Sequence, residues 1–426
     1  MRIGIDARLY SSRFGGVGRY TQELIDHLAR IDQENEYILF FNEEDYSQYL
    51  APNARFSKRR VTAKKDTFQE QTSFVKDLHR EQLDVMHFTN LDVPVFYKKP
   101  SIVTIHNLSA VKFPDPKKQG FFQKIQQGQM ISNVITNARR IITVSQVVKE
   151  DAIKMIGAPV DRIRIIPKAI SEHFQSEVYD QKLAEALKIK LGIKQKYILH
   201  VGFWRNYSNL INLIKAYNLF RNRYNNDNQL VIVGKPNDDE DAVRQVVTEL
   251  GLGDHVILAG FVDDRDLPLL YREAHMYVHA VLEDGFGTSV LEAMASKVPV
   301  ACAMSGALSE TIGPENAVYF EAQDITNLAE ALHLVFDDEA TRKKLQQRGV
   351  EQVQKYSWTD TAEKTMAVYR EVAQELGIVS NSMAPVGLTG MATSALGSMT
   401  KMVQDKAQAL GDQGKNMVKN VGEKLK

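Results

Sequence analysis

The stretch MYVHAVLEDGFGTSVLEAMASKVPVACA (276–303) contains a complete strand–helix–strand unit. An apolar run, MYVHAV, is followed by a glycine loop, an alanine-rich helical segment and a second apolar run, VPVACA. Strands that are apolar throughout and joined by helices predict a parallel sheet covered on both faces. The unit also places Asp284 and Glu292 beside a loop that opens a helix, which is where such sheets bind ligands.

The same alternation of short apolar runs and amphipathic segments extends along most of the chain. Further apolar runs are RIGID (2–6), YILFF (37–41), DVMHF (84–88), SIVTIH (101–106), RIITVS (140–145), RIRIIP (162–167), YILHVG (197–202), QLVIVG (229–234) and HVILAG (255–260). A polar segment over 175–196 interrupts the alternation. We therefore predict an α/β protein with two Rossmann-like doubly wound domains, over 1–185 and 186–357, that face a central cleft. An amphipathic helix over 358–379 is expected to close the globular part and to pack back toward the first domain.

Length, charge and composition narrow the classes of protein. At 426 residues the chain exceeds what one hydrophobic core usually serves, in agreement with two domains. Lys and Arg together number 53, as do Asp and Glu, so the charge balance gives no reason to expect a nucleic-acid partner. The single cysteine, Cys302, excludes an internal disulfide and favours a reducing compartment. Because MRIGIDARLY does not resemble a secretory signal and no apolar run approaches ~20 residues, we predict a cytoplasmic protein.

Residues 380–426 differ in composition from the rest, since they contain no aromatic residue and no Arg. Their apolar residues recur at a spacing near 11, which places them in one stripe along a helix. Six Lys against Asp405, Asp412 and Glu423 give residues 401–426 a charge of +3. A basic amphipathic helix of this kind can lie on anionic lipid at the inner face of the membrane. A solvated, partly disordered tail is the equal alternative.

Glycine, histidine and arginine residues that follow predicted strands are candidates for the cleft. In FGGVGRY (14–20), Gly16 and Gly18 allow backbone N–H groups to approach an anion, ahead of a helix expected from Tyr20. His106 ends SIVTIH, and its ring can hydrogen-bond a ligand hydroxyl there. Arg205, in HVGFWRNYSN, can neutralise a phosphate. Each has a plain structural alternative: a tight turn, a structural histidine and a solvated loop arginine.

The segment from Asp284 to Glu292 carries the most specific local signal. A diphosphate can be held by backbone N–H groups at the start of the helix, contributed by Gly285, Phe286, Gly287, Thr288 and Ser289. Asp284 can accept hydrogen bonds from sugar hydroxyls, and Glu292 can bind a ribose through both oxygens. Because apolar residues flank Glu292 on the predicted helix, its carboxylate needs a partner.

Other clusters of charge are assigned to the solvated surface. Asp264 and Asp266 are spaced like an acid-x-acid metal site, but they stand where acids favour a helix start, so solvated or capping roles are expected. The basic segment SKRRVTAKK (57–65) is predicted to be a solvated loop. The histidines do not have metal-ligand spacing, and no metal is predicted.

From residue 1 to about 375, the motifs together resemble those of glycosyltransferase family 4, the retaining nucleotide-sugar transferases with the GT-B fold. The resemblance rests on GGVGRY (15–20), TIHNLSAVKFP (104–114), ITVSQVVKEDAIKMIGAPVDRIRIIP (142–167), HVGFWRNYSNLINLIKAY (200–217), GFVDDRDLPLLYREA (260–274), DGFGTSVLEAMASKVPV (284–300) and YSWTDTAEKTMAVYREV (356–372). Each motif is short, but their order and spacing agree with the family along the whole of this range.

The resemblance implies roles for the candidate residues. Asp284 and Glu292 match the carboxylate pair of the family, with Glu292 at the nucleotide ribose and Asp284 at the transferred sugar. His106 would contact the donor sugar, residues 16–18 would border the phosphates and the acceptor, and Arg205 would supply positive charge to the leaving diphosphate. Enzymes of this family retain the anomeric configuration and need no metal, because basic side chains and a helix N-terminus stabilise that charge.

The sequence departs from the family pattern at several cleft positions. Asp284 replaces a usual Glu, and Ser208 replaces a usual Lys, which removes an ammonium from the diphosphate site. Loss of one preorganised group of this kind can cost about 100- to 1000-fold in rate. Lys168 follows the last strand of the first domain, where the family usually has Asn. We therefore hypothesise that Lys168 supplies the charge that Ser208 lacks.

The leading interpretation is a metal-independent hexosyltransferase. It moves a hexose from a UDP- or GDP-linked donor to a lipid-linked or polysaccharide acceptor with retention of configuration, and it uses no cofactor. The alternative is a catalytically weakened GT-B scaffold that binds a nucleotide, a glycan or a partner transferase. A homo-oligomer is compatible with either interpretation.

Overall fold

The chain folds around two sheets of parallel strands, as the apolar runs predict. The computed structural model describes residues 1–63, 67, 69–114, 121–176, 178–236 and 240–378, with the backbone alone described over 121–127. The sheet that is built from the N-terminal part of the chain defines the first domain, and the other sheet defines the second domain.

The first domain contains seven strands among the described residues, in the spatial order β3-β2-β1-β4-β5-β6-β7. They are β1 Arg2–Asp6, β2 Glu36–Phe41, β3 Phe56–Arg60, β4 Val85–Phe88, β5 Ser101–Ile105, β6 Ala138–Thr143 and β7 Ile163–Ile165. The register pairs Ile5 of β1 with Leu39 of β2 on one side and His87 of β4 on the other. All pairings are parallel, so every strand ends at the same edge of the sheet.

The second domain contains six parallel strands in the described part of the chain, in the order β10-β9-β8-β11-β12-β13. They are β8 Tyr197–Val201, β9 Gln229–Val233, β10 Val256–Gly260, β11 Met276–His279, β12 Val300–Ala303 and β13 Val318–Phe320. In both sheets the order reverses beside the first strand, which is the doubly wound topology.

Helices connect consecutive strands and cover the sheets. They are α1 Gly15–Ile31, α2 Glu43–Gln48, α3 Val75–Arg80, α4 Ser109–Lys112, α5 Phe121–Asn137, α6 Gln146–Ile156, α7 Gln181–Leu191, α8 Leu210–Tyr224, α9 Glu240–Glu249, α10 Leu267–Glu273, α11 Thr288–Ala295, α12 Gly306–Ile312, α13 Ile325–Asp337, α14 Glu339–Val353 and α15 Trp358–Glu375. In α1, Leu24, Ile25 and Leu28 are fully buried, as their helical spacing predicts.

Two local predictions were wrong. The helix expected from Tyr20 begins at Gly15, so the glycine motif forms its first turns and does not precede it. Residues 57–60 of the basic segment belong to the edge strand β3, in which Lys58 Nζ donates to the carbonyl of Tyr49 at 2.8 Å and Arg59 pairs with Glu81, while residues 64–65 of that segment lie outside the described residues. Salt bridges and snorkelling side chains allow this polar segment to pair at the edge of the sheet.

Helix α15 packs against α1 of the first domain. The hydroxyl of Tyr369 lies 2.7 Å from Nδ1 of the buried His87, and Arg140 Nε donates to Glu371 at 2.9 Å. Thr361 Oγ1 donates to the carbonyl of Pro167 at 2.8 Å, which fixes the chain just after β7. The helix therefore supports the strand end that carries Lys168.

Helix α7 lies between the two sheets in sequence and spans the expected division at residue 185. Its Lys188 pairs with Glu273 of α10 at 2.5 Å, so α7 contacts the second domain. Residues 1–375 form one unit, and the lipid-binding or solvated tail expected over 380–426 lies outside the described residues. Among the residues described, none of the helices has the length and apolar character needed to cross a membrane.

Candidate active site

Loops from the two domains touch where the strands of both sheets end. The carbonyl oxygen of Gly285 accepts a hydrogen bond from Ser145 Oγ at 2.9 Å. A Cβ atom on Gly285 would lie 1.9 Å from the carbonyl oxygen of His106, so glycine is required at this approach. Lys112 Nζ lies 2.8 Å from Glu283 Oε1. The segment after β11 is therefore in direct contact with the first domain.

Lys168 lies at this junction, with its Nζ 5.5 Å from the ring centre of Phe286. The residue is 7% exposed, and Nζ forms no hydrogen bond or ion pair with another residue of the described ranges. A Cβ atom on Gly16 would lie 3.8 Å from both Lys168 Nζ and Thr288 Oγ1. The backbone of Gly16, the Lys168 ammonium and the Thr288 hydroxyl therefore lie close together. Burial lowers the pKa of the Lys168 ammonium to about 8, although the carboxylates of Asp284 and Glu292 act to raise it. A buried ammonium is costly unless an anion joins it, so this point fits a phosphate group.

Helix α11 begins beside this ammonium. Gly287 precedes its first residue at φ 78°, a conformation that favours glycine. The N–H groups of Phe286 and Gly287, which were predicted to hold a diphosphate, instead donate to Asp284 Oδ1 at 2.9 and 2.8 Å. Of the predicted set, the N–H groups of Gly285, Thr288 and Ser289 do not bind Asp284, and the last two lie at the helix start, where the helix dipole adds positive charge.

Asp284 is a fixed negative charge in the loop before α11. Its Oδ1 shapes the loop through the two backbone N–H groups, and its Oδ2 lies 3.2 Å from Nε2 of the buried His279. Burial alone would raise the pKa of Asp284, but His279 and the two N–H groups lower it well below its usual range. The predicted contact of this carboxylate with sugar hydroxyls stays a prediction.

Glu292 already has two protein partners at the position predicted to bind ribose. The residue is 1% exposed, and its Oε1 accepts a hydrogen bond from Arg19 Nη1 at 2.7 Å. Its Oε2 accepts from the hydroxyl of Tyr271 at 3.1 Å. Burial raises the pKa of Glu292, against the lowering influence of Arg19. The partner that this carboxylate requires is therefore supplied by the first domain.

Arg19 joins the two domains and was missed by sequence reasoning. Its Nε also donates to Asp264, at 2.9 Å to Oδ1 and 3.0 Å to Oδ2. The solvated or capping role expected for Asp264 was wrong, because this carboxylate holds Arg19. A signal was present in GGVGRY, since Arg19 follows Gly16 by three residues and shares its side of α1.

His106 follows β5 as a neutral ring. Its Nε2 lies 2.9 Å from the carbonyl oxygen of Thr89, and because a carbonyl only accepts, Nε2 carries the proton. Its Nδ1 is buried and has no hydrogen-bond partner in the described part of the chain. Burial, assisted by the charge of Lys168, lowers the pKa of His106 to about 3. Nδ1 is thus an unused acceptor of the kind that a ligand hydroxyl satisfies, and its contact with the donor sugar stays a prediction.

Ser208 and Gly18, both assigned to the donor site from the sequence, have structural roles, and their donor contacts stay predictions. Ser208 Oγ donates to the carbonyl of Phe203 and accepts the N–H of Arg205 at 3.0 Å, so its hydroxyl is used within its own loop. A Cβ atom on Gly18 would lie 2.0 Å from the carbonyl oxygen of Ser11, so Gly18 permits close backbone packing. Arg205 is exposed, with its guanidinium 5.6 Å from the ring centre of Phe203, and its phosphate contact stays a prediction.

The side chains of Phe286 and Ser289 support the loop from inside the second domain. Phe286 is buried and packs edge-on against Tyr356, with ring centres 5.4 Å apart. Ser289 Oγ lies 3.5 Å from His279 Nδ1, and its carbonyl oxygen lies 3.2 Å from the Tyr271 hydroxyl, whose single proton is shared with Glu292. For Ser289 the backbone N–H is therefore the group left for a diphosphate.

The charged groups of this site do not form a metal centre. Within the described ranges there is no cluster of three or more His, Cys, Asp or Glu side chains arranged to hold a metal ion. The site instead combines the Lys168 ammonium and the start of α11 with the carboxylates of Asp284 and Glu292. Such a set can bind a phosphate at one side and sugar hydroxyls at the other.

Two doubly wound domains that meet at their strand ends are the architecture of GT-B glycosyltransferases. The solved structure of sucrose-phosphate synthase from Thermosynechococcus elongatus superposes on this chain with a TM-score of 0.73. The alignment covers 88% of this chain and 100% of that one at 21% sequence identity, which shows the shared fold.

Sequence comparison gives the family. Residues 14–174 match the family model described as Glycosyltransferase Family 4, and residues 184–352 match the model described as Glycosyl transferases group 1. The O-antigen chain mannosyltransferase B of Escherichia coli is 25% identical over 376 residues, which is 83% of this chain and 96% of that protein. The serotype-specific mannosyltransferase WbdA of Escherichia coli is 26% identical over 239 residues, 56% of this chain and 29% of the longer protein. The chain belongs to glycosyltransferase family 4, and its fold is GT-B.

Proposed function

We propose that this glycosyltransferase moves a hexose from a UDP- or GDP-linked donor to a lipid-linked or polysaccharide acceptor, with retention of configuration and without a metal ion. The observation that carries the proposal is the ammonium of Lys168, which is buried beside Gly16 and the start of α11 and has no ion pair with any residue that the structure describes. A diphosphate would give this ammonium the anion that it lacks. Two sources of positive charge at one point can stabilise a leaving diphosphate in place of a metal ion.

The remaining groups of the site fit the other parts of a nucleotide sugar. Asp284 offers Oδ2 to sugar hydroxyls, and His106 offers an unpartnered Nδ1. Glu292 is the carboxylate for the ribose, once Oε1 is released from Arg19. In this assignment the hexose lies between the two domains, so that the acceptor attacks on the face from which the diphosphate departs.

Mannose is the first sugar to test. The relative that aligns over nearly its whole length is named for mannosyl transfer to an O-antigen chain. That name supports a mannose donor and a polysaccharide acceptor for this chain as a proposal. Adsorption at the inner membrane face through residues 380–426 would bring the site to a lipid-linked acceptor. Flotation with anionic liposomes, with and without these residues, tests this point, and identical behaviour of the two proteins would argue against it.

A weakened scaffold is the second candidate function. It is favoured by Ser208, whose hydroxyl is confined to its loop, and by Glu292, whose two oxygens have protein partners. A scaffold would bind nucleotide or glycan without transfer.

Thermal unfolding of the protein in EDTA with UDP-, GDP-, ADP- and dTDP-sugars shows whether it binds any of these donors. A specific donor at about 100 times its dissociation constant should add about 2.7 kcal/mol of stability. Lys168→Met should abolish most of this shift, whereas Lys215→Met, at an exposed position on α8, should leave it intact. A flat response across the panel would contradict the proposed donor class, and a shift without any release of nucleotide would favour the scaffold.

A further inference from the structure

Arg19 bridges two carboxylates of the second domain from its position on α1 of the first. Its Nη1 donates to Glu292 Oε1 at 2.7 Å, and its Nε lies 2.9 and 3.0 Å from the two oxygens of Asp264. The guanidinium side chain is 14% exposed, and that of Glu292 is 1% exposed. Water therefore screens the ion pair between Arg19 and Glu292 little. The planar guanidinium also binds two carboxylates at once, which strengthens its hold on both.

Both oxygens of Glu292 already accept a hydrogen bond from a protein side chain. Oε2 accepts from the Tyr271 hydroxyl at 3.1 Å, while Oε1 is bound to Arg19. A ribose offers two adjacent hydroxyls, which need acceptor oxygens in the same place. Because only 1% of the Glu292 side chain is exposed, ribose hydroxyls cannot reach Oε1 until a group that covers it moves, and Arg19 is the partner of Oε1 from the first domain.

We propose that Arg19 is a donor-site residue that competes with the nucleotide ribose for Glu292, so that donor binding must displace it. This inference rests on the proposed function, because Glu292 receives a ribose only if the site takes a nucleotide. After displacement Arg19 keeps its contacts to Asp264, which holds the guanidinium on the side of the site away from the ribose. Only molecules in which Arg19 has released Glu292 can bind the ribose, so the apparent affinity for nucleotide is reduced in proportion to their fraction.

If Arg19 competes with the ribose, removing its positive charge should strengthen nucleotide binding, whereas simple charge attraction predicts weaker binding. Removing a cation next to an anion site ordinarily weakens the binding of a diphosphate. Arg19→Gln is expected instead to tighten UDP or GDP by about tenfold, equivalent to about 1.4 kcal/mol, because the ribose no longer displaces an ion pair. Inorganic pyrophosphate has no ribose and makes no use of Glu292. Its affinity is expected to stay unchanged or to fall in the same variant.

Isothermal titration calorimetry of the full chain with UDP, GDP and pyrophosphate measures both effects. Because Arg19→Gln leaves two carboxylates without their cation, the double variant Arg19→Gln/Asp264→Asn is measured beside it. The double variant keeps the net charge of the protein and removes one of the two carboxylates that have lost their cation. It is therefore expected to fold even if Arg19→Gln alone is destabilised. Tighter nucleotide binding with no gain for pyrophosphate is expected in both variants.

Other outcomes overturn the inference in distinguishable ways. Weaker or unchanged nucleotide binding in Arg19→Gln, with folding intact, would show that Arg19 does not compete with the ribose. If Glu292→Gln in the Arg19→Gln background leaves the affinity for UDP and GDP unchanged, the ribose role of Glu292 is wrong. If neither the parent protein nor any folded variant binds UDP or GDP, the proposed function itself fails, and the inference fails with it.

Discussion

Replacing Lys168 by Met is expected to stabilise the protein without ligand and to weaken its binding of nucleotide. Burial moves the pKa of this ammonium from 10.5 to about 8. One pKa unit corresponds to about 1.4 kcal/mol, so keeping the charge buried at pH 7 costs roughly 3 kcal/mol of folding stability. Met has a similar length and carries no charge, so the variant should recover much of this free energy.

The sign of the pH dependence follows from the direction of the shift. Between pH 8 and 10.5 the unfolded chain binds the Lys168 proton more tightly than the folded protein, so the stability of the parent protein rises with pH across this window. The advantage of Lys168→Met should therefore be full below about pH 8 and should disappear by about pH 10.5.

The midpoint of urea denaturation at pH 7 and pH 9.5 measures this prediction. Lys215→Met serves as the matched control, because Lys215 is exposed and its charge costs little. Lys168→Met should unfold at higher urea than both other proteins at pH 7, and the gap should narrow at pH 9.5. A Lys168→Met protein that is destabilised at pH 7, or that keeps full affinity for UDP and GDP, would refute the assignment of an unpaired anion-binding ammonium.

Three further predictions concern the same site. Nucleotide affinity should fall by up to about tenfold per pH unit above pH 8 in the parent protein and not in Lys168→Met, by calorimetry, because the ammonium loses its proton in this range. Gly285→Ala should lower stability by about 1–3 kcal/mol, because its methyl group would lie 1.9 Å from a carbonyl oxygen, whereas Gly253→Ala, with nothing within 4 Å, should not. Asp284→Asn should lower the free energy of unfolding by about 1–3 kcal/mol, because a neutral amide replaces the carboxylate that His279 and two loop N–H groups stabilise, while turnover falls by about 100-fold or more.

The fold could be read from the sequence because its strands are short, apolar and separated by helices. A run such as YILHV (197–201) is buried along its whole length in a parallel sheet, so its composition alone identifies it. The strand β3 was missed because FSKRR places charged side chains on an edge strand, where solvent and ion pairs satisfy them. The early start of α1 was missed because glycine is a poor helix former, although close packing of Gly18 against Ser11 favours it here.

The site could be read only in part. Asp284, Glu292 and Lys168 lie directly after strands or in the following helix, so their place at the strand ends follows from the parallel topology. The ion pairs of Arg19 with Asp264 and Glu292 join residues that are 245 and 273 positions apart. Local periodicity contains no information about such contacts, because they depend on how the two domains meet. The confinement of Ser208 to its own loop likewise depends on the backbone path after β8.

The proposed transferase activity is tested most sharply by measuring the release of nucleoside diphosphate from UDP- and GDP-hexoses, GDP-mannose included, in the presence of EDTA. We expect the parent protein to release nucleotide from one donor, with transfer to a glycan acceptor and retention of the anomeric configuration by NMR. Lys168→Met should be slower by about 100-fold or more, because it lacks the charge that stabilises the leaving group. Full-rate release by Lys168→Met would show that its ammonium does not stabilise the leaving group, and no release by the parent protein from any of these donors with acceptor glycans present would rule out the proposed activity.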